Sequence, residues 1–182
     1  MTEKQIVHGC IKGEFGSQKQ LYIDYAPKMM GICLRYASST EEAEDMMQEA
    51  FIRIYTKIHT FKFDGPLGAW IRRVVVNTAA EIYRKEKKYG LNNDIEDHLY
   101  SFKNDDYIIE KLAATDLLDK VQSLPNGYRI VFNLYAVEGY SHKEIAEKLQ
   151  ISENTSKSQY SRARASIRKM IENENSISEK AV

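Results

Sequence analysis

Apolar residues recur along this chain at spacings of three and four, and strict alternation over a strand's length is scarce, so the pattern predicts an all-α protein. A short helix carrying Ile6, Val7, Cys10 and Ile11 is expected to stop near Gly13. Ser17 followed by Gln20 has the spacing of a capping box. The helix it opens is predicted to bury Leu21, Tyr25, Met29, Ile32, Cys33 and Tyr36, with a kink at Pro27 near the helix start. Ser39 with Glu42 repeats the signal ahead of Ala43, Met47, Ala50, Phe51, Ile54 and Ile58. The stretch 61–65 ends that helix, and Pro66 suits the first turn of the next. This fourth helix is expected to carry Leu67, Trp70, Ile71, Val74, Thr78 and Ile82 inward before it runs into Arg84, Lys85, Lys87 and Lys88.

The helical period then lapses. Residues 89–107 are rich in acids and polar turn formers and read as a flexible acidic linker between two small helical domains, 1–88 and 108–172. Beyond it a helix through Leu112, Leu117, Leu118 and Val121 is expected to stop before Pro125. Another holds Val131, Phe132, Leu134 and Tyr135, with Gly139 supplying a left-handed end. Ser141 with Glu144 makes a third box over Ile145, Ala146 and Leu149. After Gln150 and Ile151 a last helix starts at Ser152 and runs to about Ile171, leaving 173–182 as a frayed, disordered tail.

Composition sharpens this picture in two places. A chain of 182 residues can bury one good core or two small ones. Its 26 basic and 26 acidic residues cancel, yet the charges are segregated. Asp94, Glu96, Asp97, Asp105, Asp106 and Glu110 face a single Lys103 in the linker region, whereas 155–171 holds Lys157, Arg162, Arg164, Arg168 and Lys169 with no acid. A polyanion is expected to meet the second segment. Cys10 and Cys33 fall at apolar helical positions and lack the spacing of a zinc knuckle, as expected of a reduced, cytoplasmic protein. No signal segment opens the chain and no apolar run suits a membrane span. His8, His59, His98 and His142 are scattered, so no catalytic or metal site and no cofactor is expected; His142 reads as a surface residue.

The segment GYSHKEIAEKL at 139–149, the turn Gln150-Ile151-Ser152 and the basic helix after it have the grammar of a helix-turn-helix. Ala146 is small enough for two helices to cross, and Ile151 plugs the turn. On the second helix Ser156, Tyr160, Ala163, Ile167 and Met170 form the inward stripe. Asn154, Thr155, Lys157, Ser158, Ser161, Arg162, Arg164 and Arg168 are left as the DNA-facing set, its first turn for base edges and its cations for phosphates.

Two upstream segments narrow the class. In EEAEDMMQEAFIRIY at 41–55 the buried stripe leaves Glu44, Asp45, Gln48, Glu49 and Ile52 together on the opposite face; FKFDGPLGAWIRRVVVN at 61–77 joins aromatic, basic and amide groups. With the carboxyl module, they resemble the extracytoplasmic-function sigma factors of the sigma-70 family, residues 1–88 matching the second sigma region and 108–171 the fourth. The resemblance implies that Ala43, Glu44, Asp45, Gln48, Glu49 and Phe51 belong to a surface docking on the clamp coiled coil of the largest subunits of core RNA polymerase. It also implies that Phe61, Lys62, Phe63 and Asp64 wall a pocket for a base flipped from the melted non-template strand of the minus-10 element. Asn77 then reads an edge of that base, while Arg73, Arg84 and Lys85 follow the phosphates. Trp70 reads as core, and Phe63 fits either the pocket or a buried loop. The carboxyl module reads the duplex minus-35 element. Asn154 and Ser156 depart from the family's usual glycine and valine, Asn154 offering an added base contact and Ser156 a looser packing. The implied partners are core RNA polymerase, promoter DNA and an anti-sigma factor, and the acidic linker threads a cationic polymerase channel or serves as an inert tether. A stand-alone regulator binding an operator as a dimer would account for the carboxyl module, but leaves Asp45, Gln48, Glu49 and Asn77 unexplained.

Overall fold

The computed structural model describes residues 1–90 and 114–180 and, among them, contains helices and no strand. The chain divides into two compact units, Met1–Ile82 and Tyr83–Val182. Most of the acidic stretch 89–107, together with Leu112, lies outside the described residues. No helix among the described residues is long and apolar enough to cross a membrane.

In the first unit α1 (Glu3–Ile11) is closed by a capping box that the sequence reading overlooked. The Gln5 N–H donates to the Thr2 hydroxyl at 3.3 Å, and the Thr2 N–H donates to Gln5 Oε1 at 2.8 Å. The helix ends ahead of Gly13, whose φ of +74° is a left-handed conformation that glycine adopts without strain. α2 (Phe15–Tyr36) starts earlier than its expected box, with Glu14 as N-cap. Ser17 is buried inside the helix and donates to Glu14 Oε2 at 3.3 Å. A Cβ placed on Gly9 would fall 1.9 Å from Ser17 Oγ, so this is where α1 and α2 cross, and small size rather than capping explains the serine.

α2 passes unbroken through Pro27, near its middle rather than its start. The lost bond frees the carbonyl of Ile23, which is exposed, so water can satisfy it. Tyr25 is only half-buried: its hydroxyl reaches Glu3 Oε2 at 3.5 Å and its ring lies 3.2 Å from where a Cβ on Gly68 would stand. Burial raises the thiol pKa of both cysteines, that of Cys33 to about 12, which leaves them inert packing groups.

α3 (Thr40–Lys57) has Ser39 as N-cap, accepting from the Glu42 N–H at 3.2 Å. Glu42 reaches one residue further than a capping box requires, to the Ser38 N–H at 2.7 Å. Ala43, Met46, Met47, Ala50, Phe51 and Ile54 are buried, and Ile58 continues the stripe into a single 3₁₀ turn (Ile58–Thr60). α4 (Leu67–Lys88) buries Leu67, Ile71, Val75, Val76, Thr78, Ala79, Ala80 and Tyr83. The expected inward residues Trp70, Val74 and Ile82 are only half-buried. Three consecutive valines and two alanines make several faces of this helix apolar, so spacing alone does not choose among them.

The second unit holds α5 (Ala114–Gln122), α6 (Asn126–Phe132), α7 (His142–Leu149) and α8 (Glu153–Lys180). Val121, Leu124, Phe132, Ala163, Ile167 and Ile171 form its core, flanked by Leu117, Tyr128, Tyr160 and Met170. Arg129 is buried, and its guanidinium donates to the carbonyls of Gln122 at 2.8 Å and Leu124 at 3.0 Å, closing the α5–α6 loop. α6 widens into a π turn, Asn133–Val137, and reaches Gly139 at φ +79°. The capping box over α7 is present as expected, with the Glu144 N–H 3.3 Å from Ser141 Oγ and the Ser141 N–H 2.8 Å from Glu144 Oε2. Gln150 turns the chain at φ +54°, and Ile151 is half-buried in the turn. α8 outruns its expected end at Ile171 and includes most of the expected tail. Nothing in 172–180 breaks a helix, and Glu174 accepts from the buried Lys120 of α5 at 2.6 and 2.7 Å, which fixes the added turn.

Candidate functional site

Three surfaces carry the chemistry. On α3 the inward stripe leaves Glu44, Asp45 and Gln48 exposed, and Ile52 is 62% exposed. Glu49 does not join them as a free group. Its carboxylate accepts from Arg53 one turn on, with Nε at 2.9 Å and the second nitrogen also at 2.9 Å, while Arg53 also pairs with Glu81 of α4. The sequence reading missed this carboxylate–arginine–carboxylate link, because Glu81 lies on another helix and only folding brings it to Arg53. Gln48 and Asp45 therefore form the accessible anionic and amide surface, with Glu49 braced beside it.

The second surface lies between the 3₁₀ turn and α4. Phe61 is 8% exposed, so it supports the loop rather than walling an open pocket. Its ring stands 4.8 Å from that of Phe63 and 5.9 Å from that of Trp70, both tilted. Phe63 is 37% exposed at φ +60°, while Lys62 and Asp64 are exposed on either side. On α4 Arg73 and Lys85 are exposed, and Asn77 and Arg84 half-buried. The four- and seven-residue steps from Arg73 to Asn77 to Arg84 keep these three on one helix face.

The third surface is α8, approached through α7. Asn154 and Lys157 are exposed; Ser161, Arg162, Arg164 and Arg168 are half-buried. Thr155 and Ser158 are half-buried, and their hydroxyls already bond within the helix. Ser152 caps the helix, accepting from the Thr155 N–H at 2.9 Å, and its hydroxyl bonds the Thr155 hydroxyl at 2.7 Å. The Ser158 hydroxyl donates back to the Thr155 carbonyl at 3.0 Å. Both hydroxyls thus serve the helix first. Lys157 pairs with Glu153 at 2.7 Å, an acid just upstream of the run that holds none, and that lysine lowers the pKa of Glu153. Arg164 lies over the Tyr160 ring, 5.9 Å from its centroid.

Ser156 is fully buried, and Nδ1 of His142 lies 3.0 Å from its hydroxyl. His142 is therefore not a plain surface residue. Its ring stacks on Tyr135 at 4.3 Å and 13°, and burial, then Lys157, lowers its pKa. Among the described residues no cluster of His, Cys, Asp or Glu has the arrangement of a metal site.

Among the described residues, all-helical architecture with an outward anionic face on a helix of one unit and a helix-turn-helix with a basic second helix on the other has the form of a DNA-binding protein that also docks on protein. Its residues 21–89 match the family model for sigma-70 region 2, and 114–167 match that for sigma-70 region 4. Among curated proteins, the chain is 26% identical over 181 residues to the RNA polymerase sigma-H factor of Pseudomonas aeruginosa, covering 93% of this chain and 94% of that one. It is 28% identical over 182 residues to the ECF RNA polymerase sigma factor SigW of Bacillus subtilis, covering 94% and 97%. Among solved structures, the sigma factor RpoE bound to the anti-sigma factor NepR, from Bartonella quintana, is 19% identical with a TM-score of 0.49, covering 85% and 96%. The chain belongs to the sigma-70 family, in its extracytoplasmic-function branch.

Proposed function

We propose that this chain directs core RNA polymerase to a specific set of promoters, gripping the enzyme through Asp45, Gln48 and Ile52 with Glu44 and the braced Glu49 beside them. It acts in the cytoplasm and performs no bond chemistry of its own. The carboxyl module places the first turn of α8 in the major groove of the minus-35 duplex. Asn154 there reads a base edge, and Arg162, Arg164 and Arg168 neutralise phosphates. The loop at 62–64 and α4 hold melted minus-10 DNA, with Phe63 as stacking surface, Asn77 toward a base edge and Arg73, Arg84 and Lys85 along the backbone.

The carrying observation is the separation of charge by element. The acids and amide left outward on α3 suit a cationic protein partner, whereas the cations sit on α4 and α8, where a polyanion is to be met. Each DNA module alone makes few contacts, so joining both through polymerase raises their effective concentration on the promoter. The test is copurification with core enzyme: Asp45→Ala/Gln48→Ala is expected to lose most of the polymerase that wild type retains. Equal recovery with both proteins would show that this face is not the dock.

A further inference from the structure

We propose that His8 is a positioning residue for single-stranded DNA, holding the Phe63 ring in the orientation on which an unstacked base is received. The proposal rests on the minus-10 reading above and adds to it a residue from a different helix. Phe63 and Gln150 are the two non-glycine residues with positive φ among those described. Gln150 ends a helix, where such a conformation is common. Phe63 ends none, and a bulky residue keeps that conformation only when its surroundings hold it. Two rings do so: Phe61 stands at 4.8 Å on the buried side, and His8, reaching across from α1, stands at 5.8 Å.

His8 sits on a well-fixed element. α1 is capped at Thr2, pressed onto α2 where Gly9 meets Ser17, and tied to α2 again through Glu3 and Tyr25. The ring at 63 is thus exposed yet flanked by two rings, one of them, the exposed His8, carried on this fixed helix. Any base offers a π face to such a ring, and a pre-oriented platform loses less on binding than one that must be ordered first. Without a ring at position 8 that support is gone, and the loop can relax to negative φ and carry the platform away.

The test uses the full chain assembled with core enzyme and a set of short single-stranded oligodeoxynucleotides, each carrying one fluorescent purine analogue at a different position. His8→Ala is expected to weaken the tightest complex by about threefold to tenfold, the range of a tilted ring pair, and to reduce quenching of the stacked analogue. His8→Phe keeps the ring and is expected to restore both. Phe63→Gly relieves the positive φ, so it is expected to raise the thermal midpoint while weakening binding at least as much as His8→Ala. Wild-type affinity in His8→Ala, or equal loss in His8→Ala and His8→Phe, overturns the role of His8. If Phe63→Gly and Asn77→Ala also bind like wild type, the minus-10 reading itself fails; if those two weaken binding and His8→Ala does not, only this inference falls.

Discussion

The imidazole of His142, in the first turn of α7, meets the buried hydroxyl of Ser156, in the first turn of α8, at 3.0 Å. One polar pair thereby joins the two helices of the DNA-binding module where the sequence pattern predicted a loosened contact. Its surroundings favour the neutral form of the ring. Burial lowers its pKa below the usual 6.5 and Lys157 adds to this, with Glu153 partly opposing. A histidine with a lowered folded pKa binds fewer protons folded than unfolded, so its contribution to stability is complete above about pH 6.5 and is lost as pH falls toward the lowered value. Thermal unfolding of the full chain is expected to show a midpoint that declines over that window. His142→Phe is expected to flatten the decline, and an unchanged slope would assign it to other groups.

Arg53 gives a second prediction, because it links α3, the proposed polymerase-facing helix, to α4 through Glu49 and Glu81. Arg53→Ala leaves two partly buried carboxylates facing each other and is expected to cost about 1–3 kcal/mol, below the value for a fully buried pair since both acids keep some solvent. Gln48→Ala, one residue from Glu49 but exposed, is expected to leave stability within about 0.5 kcal/mol while weakening polymerase binding. Urea unfolding and core-enzyme pull-down on the same two variants separate a brace from a contact. Matching losses in both assays would merge the two roles.

The crossing of α1 and α2 is a third. A methyl at Gly9 would sit 1.9 Å from Ser17 Oγ and 2.6 Å from both Ser17 Cβ and Glu14 Oε2, so Gly9→Ala is expected to destabilise the fold by about 1–3 kcal/mol through forced separation of the helices. Removing the obstacle tests the cause. Gly9→Ala with Ser17→Gly is expected to recover part of the loss in chemical denaturation, less the cost of a helical glycine, whereas additive losses would place the strain elsewhere.

These cases show what the chain makes legible before folding. The helices among the described residues, the left-handed stop at Gly139, the Ser141 box and the exposure of Glu44, Asp45, Gln48 and Ile52 on α3 follow from spacing, since each depends on residues within one or two turns of one another. What spacing missed depends on residues far apart in the chain: Arg53 with Glu81, Lys120 with Glu174, His142 with Ser156, His8 with Phe63. Ser17 was misread for the same reason, because its partner Gly9 belongs to another helix. In α4 the consecutive valines and alanines offered too many apolar faces for periodicity to rank Val75 over Val74.

The recognition helix supplies the last prediction, in which two substitutions differ in kind. Asn154 is exposed at the start of α8, where an amide can bond a base edge, so Asn154→Ala is expected to relax preference at one position of the minus-35 site, by about 1–3 kcal/mol. Arg162 lies two turns further along on the same helix and is proposed to meet the phosphate backbone. Arg162→Ala is expected to weaken all sequences alike and to reduce the salt dependence of binding by about one counterion. Binding of holoenzyme to a randomised minus-35 duplex library, at several salt concentrations, reads both effects together. If Arg162→Ala changed base preference and Asn154→Ala changed only the salt slope, α8 would have to lie in the groove in the opposite sense, with its middle rather than its first turn against the bases.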